Sequence, residues 1–271
     1  MKQLSKIFAV ALTLSTLAGC GQSSEQLPTA PRTAFDDVKF QNQQPGGLTD
    51  GAPVGGAAVN PQAAAEGAQL LAGLRQTLAQ ARGFDAEVRN YSEGNYKMGE
   101  KVSELRKSTT QARLIWMKPA KLRAEVIQTS NSLLEGAAMA TTDGKNITAR
   151  AKGVLGLFPI KLQASDAKMS TNRNVSFNDN NPDSQLKRLT SPTATWTVVG
   201  NGSVAGVAVK IIAVDKVQRL DREITREVVM LDPKTMGLRG LAMYSAQKKV
   251  VDIQFLKFKW NPSVKADTFS I

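Results

Sequence analysis

The chain contains no histidine, and its one cysteine is Cys20. These two absences exclude a Ser-His-Asp triad, a Cys-His pair, a histidine-bearing zinc site and any disulfide within the chain. Aromatic residues are sparse, at 6%. The N-terminal apolar run from Ile7 to Leu17 is about half the roughly 20 residues that a spanning helix needs. No glycine-rich loop joins a strand to a helix in the phosphate-binding manner. Carboxylates, Lys, Tyr and Ser are what remain for catalysis. Asp85 and Glu87 read as the solvent-facing side of one strand, and Asp36-Asp37 lies in a stretch without periodicity. No catalytic residue, metal ligand or cofactor is therefore assigned, and the chain is not expected to be an enzyme.

What is present points elsewhere. The 271 residues are 42% hydrophobic and 21% charged, which suits one good-sized domain or two small ones and excludes wholesale disorder. Lys and Arg number 35 against 23 Asp and Glu, a net charge of +12. Residues 1–60 carry Lys2, Lys6, Arg32 and Lys39 against Glu25, Asp36, Asp37 and Asp50. They sum to zero, so the whole excess falls on residues 61–271.

Lys2 and Lys6, the apolar run and the small residues after it have the layout of a secretory signal over residues 1–19. The run ends in Leu17-Ala18-Gly19-Cys20. This resembles the lipobox of bacterial lipoproteins. The resemblance implies cleavage before Cys20, a diacylglycerol on its thiol and an acylated new amino terminus, which together fix the chain to a membrane. An ordinary secretory signal with a chance cysteine is the bland alternative. Two or three acyl chains hold firmly where one holds marginally, since each buried CH₂ contributes about 0.8 kcal/mol. Gly21 lacks the Asp mark that retains such proteins at the inner membrane. The address is therefore the cell envelope, with the periplasmic face of the outer membrane preferred and the cytoplasmic membrane allowed.

From Gly21 to about Asn60 the chain is rich in Pro, Gly, Gln, Ala and Ser, and no period survives. Residues 20–60 read as the acylated Cys and a flexible tether reaching roughly 35 Å. Transient structure around Thr33 to Phe40 is the alternative. The folded domain then spans residues 61–271. Asn60 and Pro61 mark a helix start. Leu71, Leu74, Leu78 and Ala81 share one helical face, with Leu70 beside them, and Gly83 is the expected stop. Gly67 and Gly73 weaken the helix, so it needs a surface to pack on.

After Gly83 the period becomes two. Phe84, Ala86 and Val88 alternate with Asp85, Glu87 and Arg89, and similar runs surround Leu114–Trp116 and Leu122–Val126. Lys118-Pro119-Ala120-Lys121 joins the latter two as a hairpin. Further strands are expected at Met139–Thr142, Asn146–Arg150, Thr195–Val199, Gly206–Val214, Ile224–Leu231, Gly237–Ser245 and Lys249–Trp260, with Asp143-Gly144 and Asp232–Gly237 as turns. A change of apolar phase in the last strand calls for a bulge near Phe255. The middle, Ala151 to Ser191, is irregular, with a short helix over Asp183–Leu189. Its Gly153–Ile160 run reads either as a mobile apolar flap or as a buried strand. Short connections between successive strands mean an antiparallel sheet.

Several segments, in order, resemble the outer-membrane lipoprotein carrier (LolA-like) superfamily. Leu70 to Val88 resembles its leading helix and first strand. Trp116-Met117-Lys118-Pro119-Ala120-Lys121-Leu122-Arg123-Ala124-Glu125 resembles its hairpin of the type "x-x-P-x-K-x-R-x-E", and Asp143-Gly144-Lys145-Asn146 its "D-G-K" turn. Leu231-Asp232-Pro233-Lys234-Thr235-Met236-Gly237-Leu238 resembles its "D-P-x-T-x-L" hairpin. Val251-Asp252-Ile253 through Trp260-Asn261-Pro262 to Phe269-Ser270-Ile271 resembles its closing strand. The resemblance covers residues 66–271. It implies an α+β fold, an antiparallel sheet curled into an open half-barrel with covering helices, whose concave apolar face receives acyl chains of lipids or lipoproteins. A lipid anchor departs from the soluble carrier and shifts the implied role toward acceptor, lipid binder or envelope sensor.

The candidates for that inward face are Phe84, Val88, Leu114, Trp116, Leu122, Val126, Val209, Ile211, Ile253 and Phe255. For each, ordinary core packing against the helix is the competing reading. The basic charge suits anionic headgroups or an acidic partner at Lys118, Lys121 and Arg123, and at Lys248, Lys249, Lys257 and Lys259; a merely solvated surface fits equally. Nucleic acid is not an expected partner, because export places the domain where it is scarce. The expected function is acyl-chain binding for transport or sorting in the envelope. The rivals are a stress sensor that binds a membrane protein of the envelope, and a structural lipoprotein with a filled core.

Overall fold

A computed structural model describes residues 60–96, 104–130, 134–152, 158–166, 169–171, 173 and 175–271. The signal, Cys20, the tether up to residue 59 and most of the Gly153–Ile160 run lie outside the described residues.

Helix α1 spans Pro61–Gln80. The Asn60 side chain accepts from the Gln62 amide at 3.0 Å, as an N-cap should. Leu70, Leu71 and Leu74 are buried on its inner face. The stop differs from expectation. Ala81 already has extended backbone, and Gly83 is the first residue of strand β1 (Gly83–Tyr96). A Cβ on Gly83 would stand 2.0 Å from the Trp116 carbonyl oxygen, so close strand approach, and not helix termination, requires glycine there. Gly67 has the same kind of reason: its Cβ would lie 2.0 Å from the Trp196 carbonyl oxygen.

Ten further strands follow: β2 (Glu104–Met117), β3 (Lys121–Thr129), β4 (Ala138–Thr141), β5 (Asn146–Arg150), β6 (Ile160–Gln163), β7 (Thr195–Val204), β8 (Val207–Asp215), β9 (Arg226–Asp232), β10 (Gly237–Ser245) and β11 (Lys248–Trp260). Between β6 and β7 lie two short helices, α2 (Phe177–Asn180) and α3 (Pro182–Leu189). All eleven strands form one sheet in the order β6-β5-β4-β3-β2-β1-β11-β10-β9-β8-β7. Every neighbour is antiparallel. β6 and β7 do not pair, so the sheet stays open. The first and last blocks of strands meet where β1 pairs β11, which ties both ends of the domain together.

A register shift in that pairing supplies the bulge expected of the last strand. Glu87 faces Lys257 and Val88 faces Phe255, so Leu256 is the extra residue. The bulge puts Val251, Ile253 and Phe255 on the same face as Phe258 and Trp260. Phe84 stacks on Phe258 at 5.2 Å and meets Trp116 at 5.5 Å. The main core lies on this concave side, closed by α1 against β7 and by α2 and α3. The 3-10 turn Ala266–Phe269 crosses the outer side at β3. Arg123 holds it there by donating to the carbonyls of Thr268 and Ser270, each at 2.9 Å.

Candidate functional site

Alternation along β1 aims Phe84, Ala86, Val88, Asn90 and Ser92 at the concave side. The first three are apolar and buried, and the last two are polar. Beside them stand Leu114 of β2, Ile253 and Phe255 of β11, Leu238 and Leu241 of β10, and Val229 of β9. Leu186 and Leu189 of α3 descend onto this wall and nearly fill the space. They leave a cavity of about 100 Å³. Asn181 starts α3 by accepting from the Ser184 amide at 3.0 Å, and Pro182 suits the first turn.

α3 is tied down at its end. Arg188 donates Nη1 to Glu227 Oε1 at 2.8 Å and Nη2 to Oε2 at 2.7 Å. From α1, Arg75 donates to the carbonyls of Thr190 at 3.0 Å and Ser191 at 2.5 Å. A smaller hollow of about 50 Å³, lined by both polar and apolar side chains, adjoins the apolar one, sharing Asn90, Asn180 and Ile253. Arg173, Asp221 and Glu227 line it.

The ten sequence candidates divide. Phe84, Val88, Leu114, Ile253 and Phe255 line the apolar cavity. Trp116 and Leu122 face a separate space of about 90 Å³ under Phe177 of α2. Val126 is packed in the main core. Val209 and Ile211 point the other way. They belong to a second cluster on the outer face with Val228, Met230, Ala242 and Tyr244. The residues of β8 that face inward are Ile212 and Val214. Ile211 and Ile212 are both apolar, so the sequence does not reveal the phase, and a slip of one residue inverts the face. Leu186, Leu189, Val229, Leu238 and Leu241 were missed as cavity residues. Asn90 and Ser92 were legible as the polar continuation of the Phe84-Ala86-Val88 alternation.

The carboxylates of β1 are engaged on the outer face. Asp85 receives two donors from Arg113, at 3.1 and 2.7 Å. Glu87 receives Gln111 at 2.5 Å and Lys257 at 2.7 Å. The Lys257 hydrogen bond is the largest influence on Glu87 and, with the Gln111 hydrogen bond and nearby positive charge, holds its carboxyl below the ordinary range against the opposing effect of burial. Five of the seven basic residues singled out for headgroups, Lys257 among them, are engaged too. Lys118 donates to the Leu78 carbonyl and Arg123 pairs with Glu125. Lys248 pairs with Glu93, and Lys249 reaches Asp252 at 2.8 Å. Among the described residues no group of three His, Cys, Asp or Glu could hold a metal, and no helix is long and apolar enough to cross a membrane.

No protein-family model matches the chain, and no curated protein matches it. Solved structures of similar shape exist. An uncharacterized conserved protein from Thermus thermophilus matches with a TM-score of 0.44 and 10% identity, over 75% of this chain and 92% of its own. A LolA superfamily protein from Nitrosomonas europaea matches with a TM-score of 0.35 and 10% identity, over 74% of this chain and 97% of its own. The MucA/MucB complex from Pseudomonas aeruginosa matches with a TM-score of 0.34 and 14% identity, over 74% of this chain and 60% of that one.

Proposed function

We propose that this chain is an envelope lipoprotein, anchored through Cys20, that takes up an acyl chain of a lipid or lipoprotein between its concave sheet and α3. The observation that carries the reading is the apolar cavity of about 100 Å³ that Leu186 and Leu189 leave unfilled. It is smaller than the roughly 150 Å³ that admits one benzene, and well below the roughly 300–1,000 Å³ of ordinary ligand pockets. A few methylenes fit as it stands. A longer chain must displace α3.

The energetics favour that exchange. Ten methylenes entering from water gain about 8 kcal/mol, while exposing Leu186 and Leu189 returns about 3–6 kcal/mol. The Arg188–Glu227 pair opposes the movement, because Glu227 stays on the sheet wall beside the entering chain. No catalytic group is needed.

The test is the lipid content of the full chain carrying Cys20→Ala, which removes its own acyl groups from the assay. Non-covalently bound lipid is extracted and weighed by mass spectrometry, in parallel with Val229→Phe. Phe at 229 fills the cavity at a cost of about 1–3 kcal/mol. One acyl-bearing species is expected with the first protein and none with the second. Absence of lipid from both would overturn the reading. A single membrane protein retained in place of lipid would move the assignment to an envelope regulator.

A further inference from the structure

Exposed cations without carboxylate partners collect at one end of the sheet. Three connections lie at that end: residues 118–120 between β2 and β3, 142–145 between β4 and β5, and 233–236 between β9 and β10. The register sets this arrangement, since Met117 faces Lys121, Leu122 faces Thr141, and Phe84 faces both Trp116 and Trp260. A Cβ on Gly144 would stand 3.2 Å from the Ala120 Cβ, so the first two connections touch. Trp260 Nε1 donates to the Thr235 carbonyl at 3.2 Å, which brings the third beside the end of β11.

Lys118, Lys121, Lys145 and Lys234 stand on or next to these connections, and Arg82 and Lys259 adjoin them; all six are exposed. None forms an ion pair among the described residues. Lys118 donates to the Leu78 carbonyl, and Lys121 lies over the Phe269 ring at 5.8 Å. The carboxylates close by are otherwise engaged. Asp143 folds its own turn, accepting from the amides of Lys145 and Asn146 at 2.8 Å each. Asp232 is buried and accepts from Thr235 at 2.7 Å. Asp183 pairs with Lys187 at 2.6 Å. The opposite end of the sheet is mixed in sign. Lys107 and Lys248 meet Glu93 there, Arg173 meets Asp221 and Glu223, and exposed Asp215 and Glu223 adjoin Lys216 and Arg222.

The spread of the cations sets the size of what they meet. From the β4–β5 connection to the β9–β10 connection is six strand spacings, roughly 30 Å of contour at about 4.8 Å each. That is wider than one phosphate group. Leu105, Ile127 and Phe158 are exposed large apolar side chains, and none lies in these connections.

We infer that this end of the sheet rests on a membrane surface rich in anionic phosphate headgroups, held by charge and not by insertion. The inference goes beyond acyl-chain uptake and holds whether or not the cavity takes a lipid. Each Lys or Arg brought to such a surface strengthens binding about fivefold. The contact is lost where salt screens it.

The experiment uses the full chain carrying Cys20→Ala, which frees it of its one native thiol. A polarity-sensitive fluorophore is then placed at Thr142→Cys, on the β4–β5 connection, or at Gln247→Cys, on the β10–β11 turn of the opposite end. Both positions are exposed. Each protein is titrated with vesicles of phosphatidylcholine alone and of equal parts phosphatidylcholine and phosphatidylglycerol. The label at residue 142 is expected to respond to the anionic vesicles only, and the response is expected to vanish at about 1 M salt, where screening reaches about 3 Å. The label at residue 247 is expected to stay silent. Lys121→Gln, Lys145→Gln, Lys234→Gln and Lys259→Gln combined are expected to weaken the response at least a hundredfold. Arg150→Gln, Lys152→Gln, Lys216→Gln and Arg222→Gln combined remove the same charge away from this end and are expected to weaken it less than tenfold. All eight side chains are exposed, so melting temperatures near that of the parent are expected for both sets. The N-terminal apolar run is common to every protein and does not distinguish them. A response at residue 142 that is equal with both vesicles overturns the inference, as does an equal response at residue 247 or an equal loss from the two sets of substitutions. No response to either vesicle also overturns it and leaves an acidic protein as the partner for these cations.

Discussion

Arg188 and Glu227 meet in a two-pronged ion pair whose side chains are only 6% and 4% exposed. Arg188 closes α3, and Glu227 sits on the inward face of β9, so the pair fastens the helix over the cavity. Removing one partner strands the other charge out of water. Glu227→Ala is expected to cost about 3–5 kcal/mol, whereas Arg188→Met with Glu227→Leu together are expected to be near neutral or stabilising. Urea denaturation of the three proteins checks this. Equal losses in the single and double variants would mean the pair itself does not hold α3.

Gly67 carries α1 against β7. A methyl group there would stand 2.0 Å from the Trp196 carbonyl oxygen and 2.5 Å from its carbon. Backbone cannot yield as a flexible side chain can. Gly67→Ala is expected to lower stability by about 1–3 kcal/mol despite alanine's better helix propensity. On propensity alone the substitution would stabilise, so the sign of the change in melting temperature decides between the two.

Glu93 is 5% exposed at its side chain and gathers the Lys248 ammonium, the Tyr91 hydroxyl at 2.9 Å and Lys107 at 3.8 Å. Burial pushes its carboxyl upward, but the hydrogen bonds from Lys248 and Tyr91, with the charges of Lys248 and Lys107, outweigh burial and hold it below the ordinary value of 4.5. A carboxylate lowered in the folded state binds fewer protons than in the unfolded chain. Its stabilisation is present above pH 4.5 and is lost as pH falls through the lowered folded value. Glu93→Gln is expected to cost about 1 kcal/mol at neutral pH, because Lys248 is well exposed, and nothing at the bottom of the acid limb. Melting curves from pH 7 down to strong acid check it. A parallel offset at every pH would exclude the linkage.

The proposed anchor rests on Cys20 alone. Cells fed a labelled fatty acid are expected to label the wild-type chain and not Cys20→Ala. Label retained by the variant would place the acylation elsewhere.

The sequence by itself determined the parts of this protein that depend on neighbours in the chain. Period-two runs and turn residues gave the strands, with Asn146–Arg150 and Gly237–Ser245 matching to the residue, and Asn60-Pro61 opening the helix as N-cap and first turn. The apolar phase change near Phe255 announced a bulge that falls at Leu256. Only the tertiary structure decided which face each strand buries where both phases are apolar, as at Ile211 and Ile212 of β8. It also decided the site. The cavity exists because Leu186 and Leu189 do not fill the space between α3 and the sheet wall. Volume is a sum over residues distant in sequence, and no local pattern records such a sum.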